Sequence, residues 1–160
     1  MANKKRNNVT IEGARIIFRN FKGEATEYNR AGDRNFCVVL DKELADALAA
    51  DGWNIKVKPP REEGDDELIY MKVKVKFGDY PPIIKQVTSK GATQLDEDTV
   101  MVLDTAAIEN VDLIITPYEY TVNKKNGVAA YLKKMYVTIA EDDLDKKYAR
   151  YEDIEEPPFD

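Results

Sequence analysis

The sequence predicts a mainly β protein: an antiparallel sheet that curls into a barrel or a sandwich, with one short helix and a disordered acidic tail. Three observations carry this expectation. Met71, Val73, Val75 and Phe77 alternate with Tyr70, Lys72, Lys74 and Lys76, the period of two that a half-buried strand requires. Two long β-rich runs, residues 113–122 and 128–140, flank residues 123–127, whose Asn126-Gly127 favours the positive φ angles of a tight hairpin. No strand–helix–strand alternation runs through the chain, so a parallel α/β sheet is not expected.

The elements follow in order. Residues 9–21 are partly alternating and rich in β-branched side chains, with Gly13 as a bulge or bend. Residues 23–34 are polar and read as a loop, and residues 36–40 form a short buried strand containing Cys37. Asp41 is placed as a helix N-cap, with Leu44, Ala47 and Leu48 at helical spacing and Gly52 just past the C-terminus. Residues 53–58 alternate until Pro59-Pro60, and an acidic loop leads into the strand at 68–77. Residues 83–88 and 99–103 read as further strands, and residues 104–108 as a single helical turn. The prolines and charges of residues 141–160 leave nothing apolar enough to make a core there. The resulting division is a basic N-terminus at 1–6, a β domain at 7–140 and an acidic tail at 141–160.

Composition narrows the function. The chain has 160 residues, one cysteine and no histidine. That length suits one domain able to fold without disulfides or metal. The missing histidine removes the commonest metal ligand and general base, and no phosphate loop or nucleophile elbow is present. A catalyst is therefore not expected, and neither a cofactor nor a metal is called for. The acidic runs at 65–67, 96–98 and 141–143 read as solvated loop ends and helix starts rather than Mg²⁺ ligands. No apolar segment is long enough to span a membrane, and a reducing, cytoplasmic setting is expected.

The net charge of −6 hides a partition. Residues 141–160 hold nine acids and three bases, so the first 140 residues balance at 21 of each sign. Residues 1–40 and 71–95 are locally basic. Polyanion binding depends on such local patches and not on the net figure.

The patches are interleaved with aromatics on strands. Tyr70, Lys72, Lys74 and Lys76 share one face at about 6.6–7 Å spacing, close to the backbone repeat of an extended nucleic-acid strand. Asn54, Lys56 and Lys58 repeat the pattern. By alternation Arg15, Arg19 and Phe21 share a third face, followed by Lys22, and Tyr118 and Tyr120 a fourth. Lys124 and Lys125 sit at a hairpin tip, and Tyr131 and Tyr136 have opposite parity on one strand. Cations tracking phosphates beside rings that stack on bases are what single-stranded nucleic acid asks for. No recognition helix for duplex DNA is visible, and RNA is left open. In the tail, Asp153, Ile154, Glu155 and Glu156 precede Pro157, Pro158 and Phe159, a peptide suited to entering an apolar pocket with a basic rim.

These residues carry a resemblance. The acidic end with Pro158-Phe159 resembles the tail of bacterial single-stranded-DNA-binding proteins, although Asp160 follows the phenylalanine here. The body, in residues 9–21, 34–40 and 115–120, resembles the bacteriophage single-stranded-DNA-binding proteins. That resemblance implies an OB-like antiparallel barrel, sequence-tolerant binding of single-stranded DNA in phage replication and recombination, and a host-cytoplasmic location. By position it places Arg15, Phe18, Arg19, Phe21, Arg34 and Phe36 on early strands facing the DNA. It also implies recruitment of replication and recombination proteins through the tail. A homodimer is possible on this reading. The alternative is a phage structural or assembly protein using its exposed strands for subunit contacts.

Overall fold

The structure, a computed structural model, describes residues 6–152, with side chains as far as residue 149. The expected tail residues Asp153, Ile154, Glu155, Glu156, Pro157, Pro158 and Phe159 lie outside the described residues.

The strand pattern of residues 9–21 is split by Gly13 (φ +62) into β1 (Val9–Ile11) and β2 (Arg15–Asn20). Then come β3 (Arg34–Val39), α1 (Lys42–Ala50), β4 (Ile55–Lys58), β5 (Leu68–Val75), β6 (Ile83–Thr88) and β7 (Gly91–Leu95). A 3₁₀ segment (Val100–Asp104), β8 (Ile108–Val122), β9 (Lys125–Ile139) and α2 (Asp143–Glu152) complete the chain. The nine strands form one curled, open half-barrel with the order β1-β8-β9-β5-β3-β2 along its main path.

Most pairings are antiparallel, as expected, and β9 supplies the exception. One of its edges runs antiparallel to β8. The other is shared, pairing in parallel first with β5 and then with β6. Strand β5 likewise divides one edge between β4 and β9. Two strands that each serve two neighbours force the sheet to branch and curl, and the inner face closes around the core. Phe36, Val38, Met71, Val73, Ile115, Ala130, Leu132 and Met135 fill it from the sheet, capped by Ala45 and Leu48 of α1 and by Val100 and Leu103.

Local chemistry explains most boundaries. Asp41 caps α1, its carboxylate accepting from the Leu44 amide at 2.7 Å, and Gly52 takes the left-handed position beyond the helix (φ +94). The strand expected at 99–103 is instead the 3₁₀ segment. The Asp96 carboxylate accepts from the amides of Asp98 and Thr99, turning the backbone, and Val100 and Leu103 then meet the core at a spacing of three. The hairpin turn also differs from expectation: Asn123 and Lys124 (φ +52 and +65) carry the two-residue turn, and Asn126-Gly127 lies in β9. Strand β7 and helix α2 are not anticipated by the sequence pattern. Helix α2 starts from Asp142, whose side chain accepts from the Asp145 amide, and it buries Ala149. Glu141 holds this end of the chain to the β6–β7 turn by accepting from both the amide and the hydroxyl of Ser89, each at 2.6 Å. Arg6, placed by the sequence in the N-terminal extension, donates to the Asp51 carbonyl and pairs with Glu119.

Candidate nucleic-acid interface

The side chains of β5 decide the site. Met71, Val73 and Val75 are buried, so Tyr70, Lys72 and Lys74 are turned to the outer face, as their alternation predicts, and Lys76, exposed just past the end of β5, continues the series. Register extends that face sideways, because residues directly opposite one another share a side of the sheet. Lys74 lies opposite Asn35 of β3 and Tyr131 of β9, Lys72 opposite Cys37, and Tyr70 opposite Val39 of β3 and Lys56 of β4.

Rings and cations alternate along this surface. The Lys74 ammonium stands 5.8 Å from the centre of the Tyr131 ring, and Tyr118 packs against Tyr131 at 5.3 Å between centroids. At the other end Phe18 meets Tyr70 edge-on at 5.7 Å, although Phe18 remains 55% exposed. From Tyr131 toward the Lys76 end of the face runs a groove of about 380 Å³ lined by Arg34, Asn35, Lys72, Lys74, Lys76 and Tyr131, among others. Arg15 and Lys58 line a second hollow beside Phe18, with Arg61 and the acids Asp65 and Asp66. Cys37 lies under the lysines. Burial pushes its thiol up, with the charges of Lys56 and Lys72 acting against this, so it stays a protonated, small apolar filler at neutral pH.

The structure thus brings together Arg15, Phe18, Lys56, Lys58, Tyr70, Lys72, Lys74, Lys76 and Tyr118. It separates others. Phe21 and Phe36 have no exposed surface and stack on each other at 5.2 Å in the core, so neither ring is open to a base. Phe36 is turned inward by its register opposite the buried Val73, whereas for Phe21 the cause is a bulge: register slips between Ile17 and Asn20, with Phe18 in left-handed conformation (φ +51). The bulge breaks the alternation that grouped Arg15, Arg19 and Phe21. Phe18 emerges on the outer face, and Arg19 turns to the carbonyls of Leu103 and Ala106 at 2.9 and 2.8 Å.

Arg34 lines the groove but is largely committed. Its guanidinium donates to the Phe21 carbonyl at 2.7 Å and lies 5.5 Å from the Phe77 ring centre. Lys22 is exposed, its amide held by Asp104, and Lys124 and Lys125 are exposed at the hairpin turn. The Tyr120 hydroxyl accepts from Asn54 and its ring covers Gly127, where a Cβ would sit 2.5 Å from the tyrosine oxygen.

Sequence reasoning missed Asn35 and left Tyr131 unplaced. Only register finds them, since both are defined by standing opposite Lys74. A second bulge, between Ile114 and Ile115 opposite Lys133, also resets parity along β9. Tyr131 and Tyr136 consequently both alternate with core residues, Ala130 and Leu132 around one and Met135 and Val137 around the other. Among the described residues, no group of three or more His, Cys, Asp or Glu side chains converges as a metal site would, and no helix is long and apolar enough to cross a membrane.

With this geometry in view, three comparisons are informative. The family model for the phage ssDNA-binding domain matches residues 1–159. No curated protein matches the sequence significantly. Among solved structures, the single-stranded DNA-binding protein from bacteriophage Enc34 in complex with ssDNA is similar at TM-score 0.55 and 11% identity, over 88% of this chain and 95% of that one. A C-terminal truncation of the Enc34 protein is similar at TM-score 0.53 and 10% identity, again over 88% and 95%. At these identities the structural likeness is one of fold.

Proposed function

The chain belongs to the phage ssDNA-binding domain family, and from that premise we propose that it holds single-stranded DNA, without sequence preference, across the outer face of β3, β5 and β9. The observation that carries the reading is the Lys72, Lys74 and Lys76 ladder with Tyr131 in register beside its middle member. Lysines on alternate residues meet successive phosphates, while Tyr131, Tyr118, Tyr70 and Phe18 offer flat surfaces to bases. Each stacked base contributes about 1–3 kcal/mol and is read by its ring face alone, which makes the binding sequence-tolerant. The Enc34 protein, of similar fold, is described in complex with ssDNA.

On this reading the protein performs no chemistry. In the host cytoplasm it coats exposed strands during phage replication and recombination, melting hairpins and shielding the backbone. The acidic tail, ending near Phe159, recruits the proteins that act next, and it competes with phosphates for the lysines until a partner takes it.

Fluorescence anisotropy with a labelled dT oligonucleotide tests the proposal. Affinity should be high at 50 mM salt and fall steeply as salt rises, through counterion release. Replacing Lys72, Lys74 and Lys76 together by alanine should flatten that slope by about two units, at roughly 0.7 per phosphate contact on a single strand. Unchanged affinity and slope in the triple variant would reject this face as the site.

A further inference from the structure

Residues 23–33, within the connection from β2 to β3, form a loop held together by its own hydrogen bonds. The Gly32 amide donates to the Gly23 carbonyl at 2.8 Å and closes the base, and Thr26 and Asn29 exchange two backbone hydrogen bonds across the tip. Gly23 is required there: its φ is +74, and a Cβ would lie 3.0 Å from the Gly32 backbone. Asn20 brackets Glu24 with both atoms of its amide. The side-chain amide nitrogen of Asn29 reaches the carbonyls of Glu24, Arg30 and Asp33 at 2.9–3.0 Å.

Most of this loop is exposed, and it carries one aromatic side chain. Tyr28, between the paired Thr26 and Asn29, is 87% exposed. A single exposed aromatic is ordinary on a protein surface. Two features separate this one. Its backbone is fixed on both sides, with the Tyr28 amide itself donating to the Thr26 hydroxyl, so the ring is presented with little backbone entropy left to lose. The loop is also joined to the proposed DNA face. Asn35, the register neighbour of Lys74, donates to the Asn29 side-chain oxygen at 2.9 Å, and Gly32 and Asp33 form a wall of the groove that holds Lys72, Lys74 and Lys76.

We infer that Tyr28 is a stacking residue for a base at the end of the bound strand, beyond Lys76, and that the Asn29–Asn35 hydrogen bond sets its position. The inference rests on the proposed single-stranded-DNA face and extends it past the sheet. The ligand class is unchanged, a single-stranded polynucleotide, but the site is longer than the sheet itself, and the added contact is neutral.

The test is a length series of dT oligonucleotides titrated against the full chain, its Tyr28→Ala and Tyr28→Phe variants, and the triple lysine variant. Tyr28→Ala should melt like the parent, because the ring is in water. It should bind short oligonucleotides normally and lose between about fivefold and about 150-fold on longer ones, the range of one stacked base. Its salt slope should match the parent, and Tyr28→Phe should restore affinity, because the ring and not the hydroxyl acts. Tyr28→Trp should also show emission quenching on DNA addition, over and above the signal of Trp53, which is only 4% exposed. Parent-like binding of Tyr28→Ala at every length, or no added quenching in the Tyr28→Trp variant, overturns the inference. If the triple lysine variant still loses affinity, only this inference fails; if it does not, the underlying face fails too.

Discussion

Tyr131 stands beside Lys74 across a parallel junction only two register pairs wide, its ring centre 5.8 Å from the lysine ammonium. The other pair, Val73 with Ala130, lies beneath in the core. This short junction joins the β8–β9 hairpin to the basic strand β5, and it sets the Tyr131 ring next to the Lys74 ammonium on the outer face. An ammonium over a ring attracts it by about 0.5–1 kcal/mol at an exposed site, which holds both side chains ready without removing either from solvent.

Tyr131→Ala should therefore weaken dT binding by about 1–3 kcal/mol and leave the salt slope nearly unchanged, whereas Lys74→Ala should lower the slope by about 0.7. Tyr131→Phe should bind like the parent. Anisotropy titrations at several salt concentrations separate these outcomes, and the double variant reports the coupling between the two residues.

Phe36 and Tyr70 should separate fold from function. Phe36 is fully buried against Phe21, so Phe36→Ala should cost about 3–5 kcal/mol of stability by denaturant unfolding, with the folded fraction still binding DNA. Tyr70→Ala should do the reverse, lowering affinity with a smaller change in unfolding free energy. A Phe36→Ala variant with parent-like stability would contradict the core assignment.

At the hairpin, Lys124 holds a φ of +65, which costs a side chain about 1–2 kcal/mol and glycine almost nothing. Lys124→Gly should raise the melting midpoint by a few degrees. The same change at Lys125, which lies in β9, should lower it. Differential scanning calorimetry on the two variants distinguishes the observed turn from one centred on Asn126-Gly127.

The Ser89–Glu141 contact should make the C-terminal anchorage acid-sensitive. The Ser89 hydroxyl, then its amide, hold the Glu141 carboxyl below its ordinary value of 4.5. A depressed folded value means the contact stabilises fully above 4.5 and is lost as pH falls through the lowered value. Hydrogen exchange of the Ser89 amide should accelerate, relative to its intrinsic rate, as pH drops below about 4.5. Glu141→Gln should remove that pH dependence.

The sequence reading succeeds where one residue's neighbours in the chain determine its environment. Alternation alone places Met71, Val73 and Val75 inward and the lysines outward, and Asp41 and Gly52 bracket α1 from cap chemistry. It fails where a single inserted residue resets parity. The bulges at Phe18 and Lys133 move Phe21 into the core and give Tyr131 and Tyr136 the same relation to it, and no local pattern announces a bulge without a glycine. The turn at Val100–Asp104 is misread because Val100, Met101, Val102 and Leu103 together look like a buried strand, a pattern overruled by the Asp96 side chain. Strand β7 has four exposed residues and only Leu95 buried, so it lacks the apolar alternation that marks a strand. The site is half legible for the same reason. Lys72, Lys74 and Lys76 follow one another along a single run of chain, but Asn35 and Tyr131 join them only through long-range register.

The central claim is that single-stranded DNA lies on the outer face of β3, β5 and β9. The most direct measurement is amide and side-chain chemical-shift mapping of the full chain during titration with a dT oligonucleotide. The account predicts that the largest shifts fall on Asn35, Tyr70, Lys72, Lys74, Lys76 and Tyr131, with α1 and the β6–β7 turn nearly silent. Shifts concentrated on α1 or the β6–β7 turn, with Lys72, Lys74 and Tyr131 unmoved, would contradict it.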